Sequence, residues 1–155
     1  MITFEDFHVG ETSKFGDYLI TEEEIIAFAE KYDPQPFHTD PEFAKNSFHG
    51  RLIASGWMTC AIMMRLLCDE ILINSSSIGS PGVDNIRWLK PVYAGDRLSI
   101  VATILEARES KSKPGLGIVN YEVAVLNQDQ KPVMTVKSTG MFLTKAAVAQ
   151  QAASR

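Results

Sequence analysis

The chain has 155 residues, of which 45% are hydrophobic and 22% charged, and its formal net charge is -4. That length suits one domain and leaves no room for a second independent core, and the composition is neither that of a disordered chain nor of a fibrous one. The acidic balance excludes the broad basic surface that binds nucleic acid or an anionic membrane, so an anionic ligand has to meet local positive charge.

The N-terminus carries Glu5 and Asp6 and lacks the basic-then-apolar pattern of a secretory leader, so a cytoplasmic location is expected. After a short extended opening, Thr21-Glu22-Glu23-Glu24 has the form of a capping box, in which the Thr hydroxyl and the later Glu satisfy free backbone donors reciprocally. Ile25, Phe28, Ala29 and Tyr32 recur at helical spacing and give that helix one apolar face. Pro34 and Pro36 end it near Tyr32 or Asp33. Asp40-Pro41 reads as an N-cap followed by proline at the first helical position. Between the two helices lies a stiff, proline-fixed loop.

The longest apolar stretch, residues 53–68, is interrupted by Ser55, Gly56, Thr59 and Arg65 and falls short of the ~20 apolar residues that cross a bilayer. A helix is predicted over about 55–73. Trp57, Met58, Ile62, Met63, Leu66 and Leu67 occupy several of its faces, so other structure must wrap it. Cys60 and Cys68 on that helix stand ~12 Å apart at about 1.5 Å rise per residue, too far to bridge. They read as buried, inert thiols.

Residues 83–90, 98–108, 118–127 and 133–143 are rich in Val, Ile, Thr and aromatics between Gly, Pro, Asn and Asp signals, and read as four successive strands. Asn127-Gln128-Asp129-Gln130-Lys131 has hairpin-loop length, and Pro132 is tolerable only at a strand start or edge, so the sheet is antiparallel. The polar, alanine-rich residues 146–155 are expected to fray beyond a domain of residues 1–145. A long apolar helix followed by a long antiparallel sheet packs as a single α+β hot-dog fold, the curved sheet wrapped around the central helix. Sheet edges that one copy cannot cover imply a homodimer or a larger homo-oligomer.

The chemistry concentrates in Tyr32-Asp33-Pro34-Gln35-Pro36-Phe37-His38-Thr39-Asp40. Two prolines hold Asp33 and Gln35 extended and present a carboxylate and an imidazole at low entropic cost. Hydration of a conjugated thioester needs a base to take a proton from water as oxygen attacks C3, and an acid to deliver one to C2; an Asp and a His gripping one water meet both needs. The competing reading is that Asp33 merely ends the first helix while His38 satisfies a backbone carbonyl. At Ala54-Ser55-Gly56-Trp57, a glycine at a helix N-terminus offers unpaired N–H groups to a thioester oxygen that gains charge as an enolate. Here the competing reading is that Gly56 only lets the helix enter the core tightly.

Asp33-x-Gln35-Pro36-x-His38 resembles the hydratase signature of the MaoC-like dehydratase family, which includes the (R)-specific enoyl-CoA hydratases and usually reads Asp-x-Asn-Pro-x-His. The Ser55-Gly56 helix start and the run Asn85-Ile86-Arg87-Trp88-Leu89-Lys90-Pro91-Val92-Tyr93-Ala94-Gly95-Asp96 extend the resemblance over almost the whole chain. Gln35 stands where Asn is usual, and Ser55 where many hydratases have His. The resemblance implies a hot-dog fold, syn hydration of trans-2-enoyl-CoA to the (R)-3-hydroxyacyl product, and a site at a dimer interface. It further implies that no metal or prosthetic group takes part, coenzyme A entering only as part of the substrate. In that scheme Asp33 and His38 activate water and the Gly56 N–H binds the thioester oxygen, while Gln35, Pro36, Phe37, Ser55 and Trp57 line the substrate.

Arg51, Arg87, Lys90, Lys111 and Lys113 are candidate partners for coenzyme A phosphates by loop position. No zinc spacing, Gly-rich phosphate loop or nucleophilic serine elbow appears. Two rival functions remain: a hot-dog thioesterase working with one carboxylate and the same helix N-terminus, and a non-catalytic acyl-CoA-binding subunit.

Overall fold

The computed structural model describes residues 1–154. A 3-10 turn at Phe4–Asp6 leads into strand β1 (Thr12–Leu19), then helices α1 (Glu22–Tyr32), α2 (Pro36–Thr39), α3 (Pro41–Lys45) and α4 (Gly56–Leu67). Strands β2 (Ser77–Gly79), β3 (Val83–Trp88), β4 (Arg97–Glu109), β5 (Leu116–Leu126) and β6 (Pro132–Leu143) follow, and helix α5 (Lys145–Ala153) closes the described chain. The six strands form one antiparallel sheet in the order β1-β4-β5-β6-β2, and β3 also pairs with β6, further along it.

The sheet curves around α4 in the expected hot-dog arrangement, and period-two alternation decides which side chains face the helix. Leu98, Ile100 and Ala102 of β4, Val123 and Val125 of β5, and Met134 and Val136 of β6 share one core with Met58, Ile62, Met63, Leu66 and Leu67 of α4. Burying each of these large side chains contributes about 1.5–3 kcal/mol, so the helix is held by packing more than by propensity. Not all of α4 is wrapped by its own sheet, because Trp57 and Met64 stay exposed.

The capping box forms as expected: Thr21 Oγ1 accepts from Glu24 N at 3.2 Å, and α1 ends with Asp33 as its C-cap. Asp40 likewise caps α3, its Oδ1 accepting from Glu42 N and Phe43 N. The intervening segment departs from the proline-fixed loop expected there. Pro36 sits at the first position of a helical turn, where its missing N–H costs nothing, so it starts a turn and does not prevent one. The long helix is also shorter than expected, because α-geometry stops at Leu67 and the chain continues as a π turn, Cys68–Leu72.

Two strands outside the sequence reading complete the sheet: β1, paired along β4, and the three-residue β2. The segment expected to fray is helical through Ala153, with Thr144 Oγ1 accepting from Ala147 N and Glu5 carboxylate oxygens accepting from Lys145 N. Arg155 lies outside the described residues. No helix among the described residues is long and apolar enough to cross a membrane.

Candidate active site

Asp33 ends α1, and its carboxylate is surrounded by donors from two further elements. Gln35 Nε2 donates to Oδ1 at 2.7 Å, and the hydroxyl of Ser55, the N-cap of α4, donates to Oδ2 at 2.7 Å. These bonds, the Gln35 amide first and the Ser55 hydroxyl second, hold the carboxyl below its usual range. Partial burial pushes the other way, and His38 adds a smaller electrostatic pull downward. Asp33 is therefore a carboxylate across the neutral pH range.

His38 is buried on the α2 turn, and its ring is clamped from one side. Nδ1 lies 2.7 Å from the carbonyl oxygen of Ile53. A carbonyl can only accept, so Nδ1 carries the proton, and Nε2 is the ring's free working atom. Nε2 faces Asp33 Oδ2 at 3.3 Å. Both bland readings thus hold locally, since Asp33 does end its helix and His38 does satisfy a carbonyl. Neither uses the second nitrogen or the carboxylate, and those groups converge.

The pair opens into a cavity of about 380 Å³ lined by Asp33, His38, Gly56, Trp57 and Thr59 and by residues 88–92, the end of β3 and the segment after it. Ala54 N donates to Val92 O at 2.8 Å, and Leu89 N to Val133 O at 2.8 Å, tying that segment to the start of α4 and to β6. Gly56 begins α4, and its N–H has no acceptor among the described residues, as the first turn of any helix leaves its amides free. The Trp88 indole lies against Gly56 so closely that a Cβ there would stand 2.5 Å from it, and Trp57 meets the same indole edge-on with ring centroids 5.2 Å apart. The two tryptophans form a half-exposed aromatic rim beside the free amide.

Of the residues assigned to catalysis from sequence, Asp33, His38 and Gly56 come together at this cavity. Of those assigned to substrate, Trp57 lines it. Gln35 and Ser55 instead direct their polar hydrogens at Asp33. Phe37 packs its ring on that of His38, centroids 4.6 Å apart, and Pro36 opens the α2 turn. Among the candidate phosphate partners, Lys90 lines the cavity and Arg51 lies over the Tyr93 ring at 3.8 Å, whereas Arg87, Lys111 and Lys113 are outside the lining. Cys60 and Cys68 are free and only half-buried, and burial raises the pKa of the Cys60 thiol, which keeps it protonated. Trp88 and Thr59 were not singled out as site residues from sequence. The signal for Trp88 was its place at the end of a strand just before the Leu89-Lys90-Pro91 turn.

Comparison with known proteins bears on the fold and the family. The family model described as MaoC like domain matches residues 6–127. The crystal structure of a MaoC-like dehydratase from Rhodospirillum rubrum superposes with a TM-score of 0.85 at 35% identity, covering 94% of this chain and 99% of that one. The uncharacterized protein YdeM of Bacillus subtilis is 28% identical over 129 residues, 83% of this chain and 90% of its own length. A Mycobacterium tuberculosis protein named 3-hydroxyacyl-thioester dehydratase Z is 32% identical over 88 residues, 56% of this chain and 58% of that one. With the family model matching residues 6–127 and the fold superposing on a MaoC-like dehydratase, this chain belongs to the MaoC-like domain family.

Proposed function

We propose that the protein is a hydratase/dehydratase that adds water reversibly across a trans-2-enoyl-CoA or a related enoyl thioester, giving the (R)-3-hydroxyacyl product. The observation that carries this reading is the Asp33 Oδ2 and His38 Nε2 pair, 3.3 Å apart, opening into a cavity also lined by Gly56, whose N–H has no acceptor among the described residues. With Nδ1 donating to Ile53, the neutral form of the ring leaves Nε2 an acceptor beside Asp33 Oδ2, and a water donating a proton to each is oriented with its lone pair outward. As that oxygen bonds C3, one O–H bond of water breaks and its proton passes to the pair. The electrons of the double bond move onto the thioester oxygen, where the Gly56 amide and the α4 N-terminus stabilise the negative charge. Return of a proton from the pair to C2 completes the addition and restores both groups. In this scheme two side chains and one backbone amide supply every step without a prosthetic group, and coenzyme A enters as part of the substrate, with Lys90 at the cavity wall as one phosphate partner.

The working unit in this reading is a homodimer. Among the described residues the outer edge of β3 has no partner strand, and Val83, Trp57, Met64, Trp88 and Leu89 are exposed. A second copy laid along this edge would pair its free backbone groups and cover these apolar side chains. The test of function is incubation with crotonyl-CoA, following the conjugated-thioester absorbance together with free thiol. Hydration removes absorbance without releasing thiol, thioester hydrolysis releases thiol, and a non-catalytic binder changes neither. Thiol release matching the absorbance loss, or no reaction, rejects the proposal.

A further inference from the structure

Asp33 has a separate side-chain donor on each oxygen, and the two donors come from different elements. Gln35 leads into the α2 turn and is exposed; Ser55 caps α4 and is wholly buried. Ser55 Oγ accepts from Trp57 N at 3.3 Å while its proton goes to Asp33 Oδ2 at 2.7 Å. A backbone amide at the positive end of α4 is thereby relayed through one hydroxyl to the carboxylate, and each bond of such a chain polarises the next. The same cap leaves the neighbouring Gly56 amide free. Ser55 therefore joins the carboxylate to the helix end that would receive the thioester oxygen.

We propose that Ser55 and Gln35 are positioning residues that fix the Asp33 carboxylate, one donor per oxygen, and are not substrate-binding groups. The inference rests on the hydration reading, since it assigns these side chains a part in that same site. The single hydroxyl hydrogen of Ser55 is committed to Asp33, and so is one of the two amide hydrogens of Gln35. Without them Oδ2 would keep only His38 and Oδ1 would have no protein donor. The charged neighbours of Asp33 are few. His38 faces it from α2, and Lys90 lines the same cavity from the segment after β3. On its own helix Lys31 turns to the Tyr32 ring, and the first turn of α4 brings no acidic residue. The two hydrogen bonds consequently dominate the ionisation of Asp33, in line with the order of causes that hold its carboxyl low.

The test uses Ser55→Ala and Gln35→Leu in the full chain, with two readouts. The first is a carbon-13 NMR titration of the Asp33 carboxyl, with Asp33→Asn identifying the resonance. The second is the pH dependence of kcat and KM with crotonyl-CoA. In both variants Asp33 is expected to titrate at higher pH than in the wild type, with the acid limb of the rate profile moving the same way. Losing one hydrogen bond to a charged group should lower kcat about tenfold and leave KM nearly unchanged. An unchanged Asp33 titration in both variants, or a raised KM with unchanged kcat, overturns the proposal. Gln35 is exposed, so Gln35→Leu decides the matter if Ser55→Ala fails to fold. If the wild type does not turn over crotonyl-CoA, the hydration reading fails, while the titration still decides whether the two donors hold the carboxylate.

Discussion

At Gly56 the site tolerates least change. Any side chain there meets the Trp88 indole at 2.5 Å, so Gly56→Ala must push the indole outward or shift the first turn of α4. Either movement disturbs the amide proposed to hold the thioester oxygen. We expect kcat to fall by about 10²-fold, the scale of losing one oxyanion donor, with a change in tryptophan emission as Trp88 moves. Unaltered turnover in Gly56→Ala would separate that amide from the chemistry. The Asp33 and His38 pair stood out in the sequence because Asp33-x-Gln35-Pro36-x-His38, which resembles the family signature, lies within six consecutive residues. The partners of Ser55 and the rim formed by Trp88 did not, because each depends on segments far apart in sequence meeting in space: Ser55 bonds a residue 22 positions away.

Local chemistry made some elements readable and hid others. The Thr21 and Asp40 caps set the starts of two helices because a cap is a contact between near neighbours. β3 to β6 announced themselves by β-branched runs. β1 did not, since it is an edge strand with little burial and its register breaks between Phe15 and Tyr18. α5 was hidden for a related reason: it has no buried residue, and its start is fixed by Glu5, 140 positions earlier. The N-terminal 3-10 turn docks on β5 in the same way. A Cβ on Gly117 would stand 1.9 Å from the Phe4 ring, so Gly117→Ala should destabilise the fold by about 1–3 kcal/mol in urea unfolding. Adding Phe4→Ala should recover part of that loss, a coupling a double-mutant cycle reads directly. Additive effects of the two changes would show that the turn does not rest on β5.

For the whole molecule, the hot-dog arrangement followed from one apolar helix preceding a long antiparallel sheet, and it brings three distant segments to one cavity: the α1–α2 junction, the start of α4 and residues 88–92. A single copy leaves the β3 edge and part of α4 uncovered, so sedimentation at micromolar concentration should give at least twice the chain mass. A fully active monomer would show that the exposed tryptophans serve the substrate alone. The account as a whole depends on Asp33 and His38 acting together on water. The measurement that tests it most directly is crotonyl-CoA hydration by Asp33→Asn and His38→Gln, each checked for a native thermal transition. The account predicts that kcat falls by at least ~10² in both, as for groups that carry protons in the transition state; folded variants that hydrate crotonyl-CoA at the wild-type rate would contradict it.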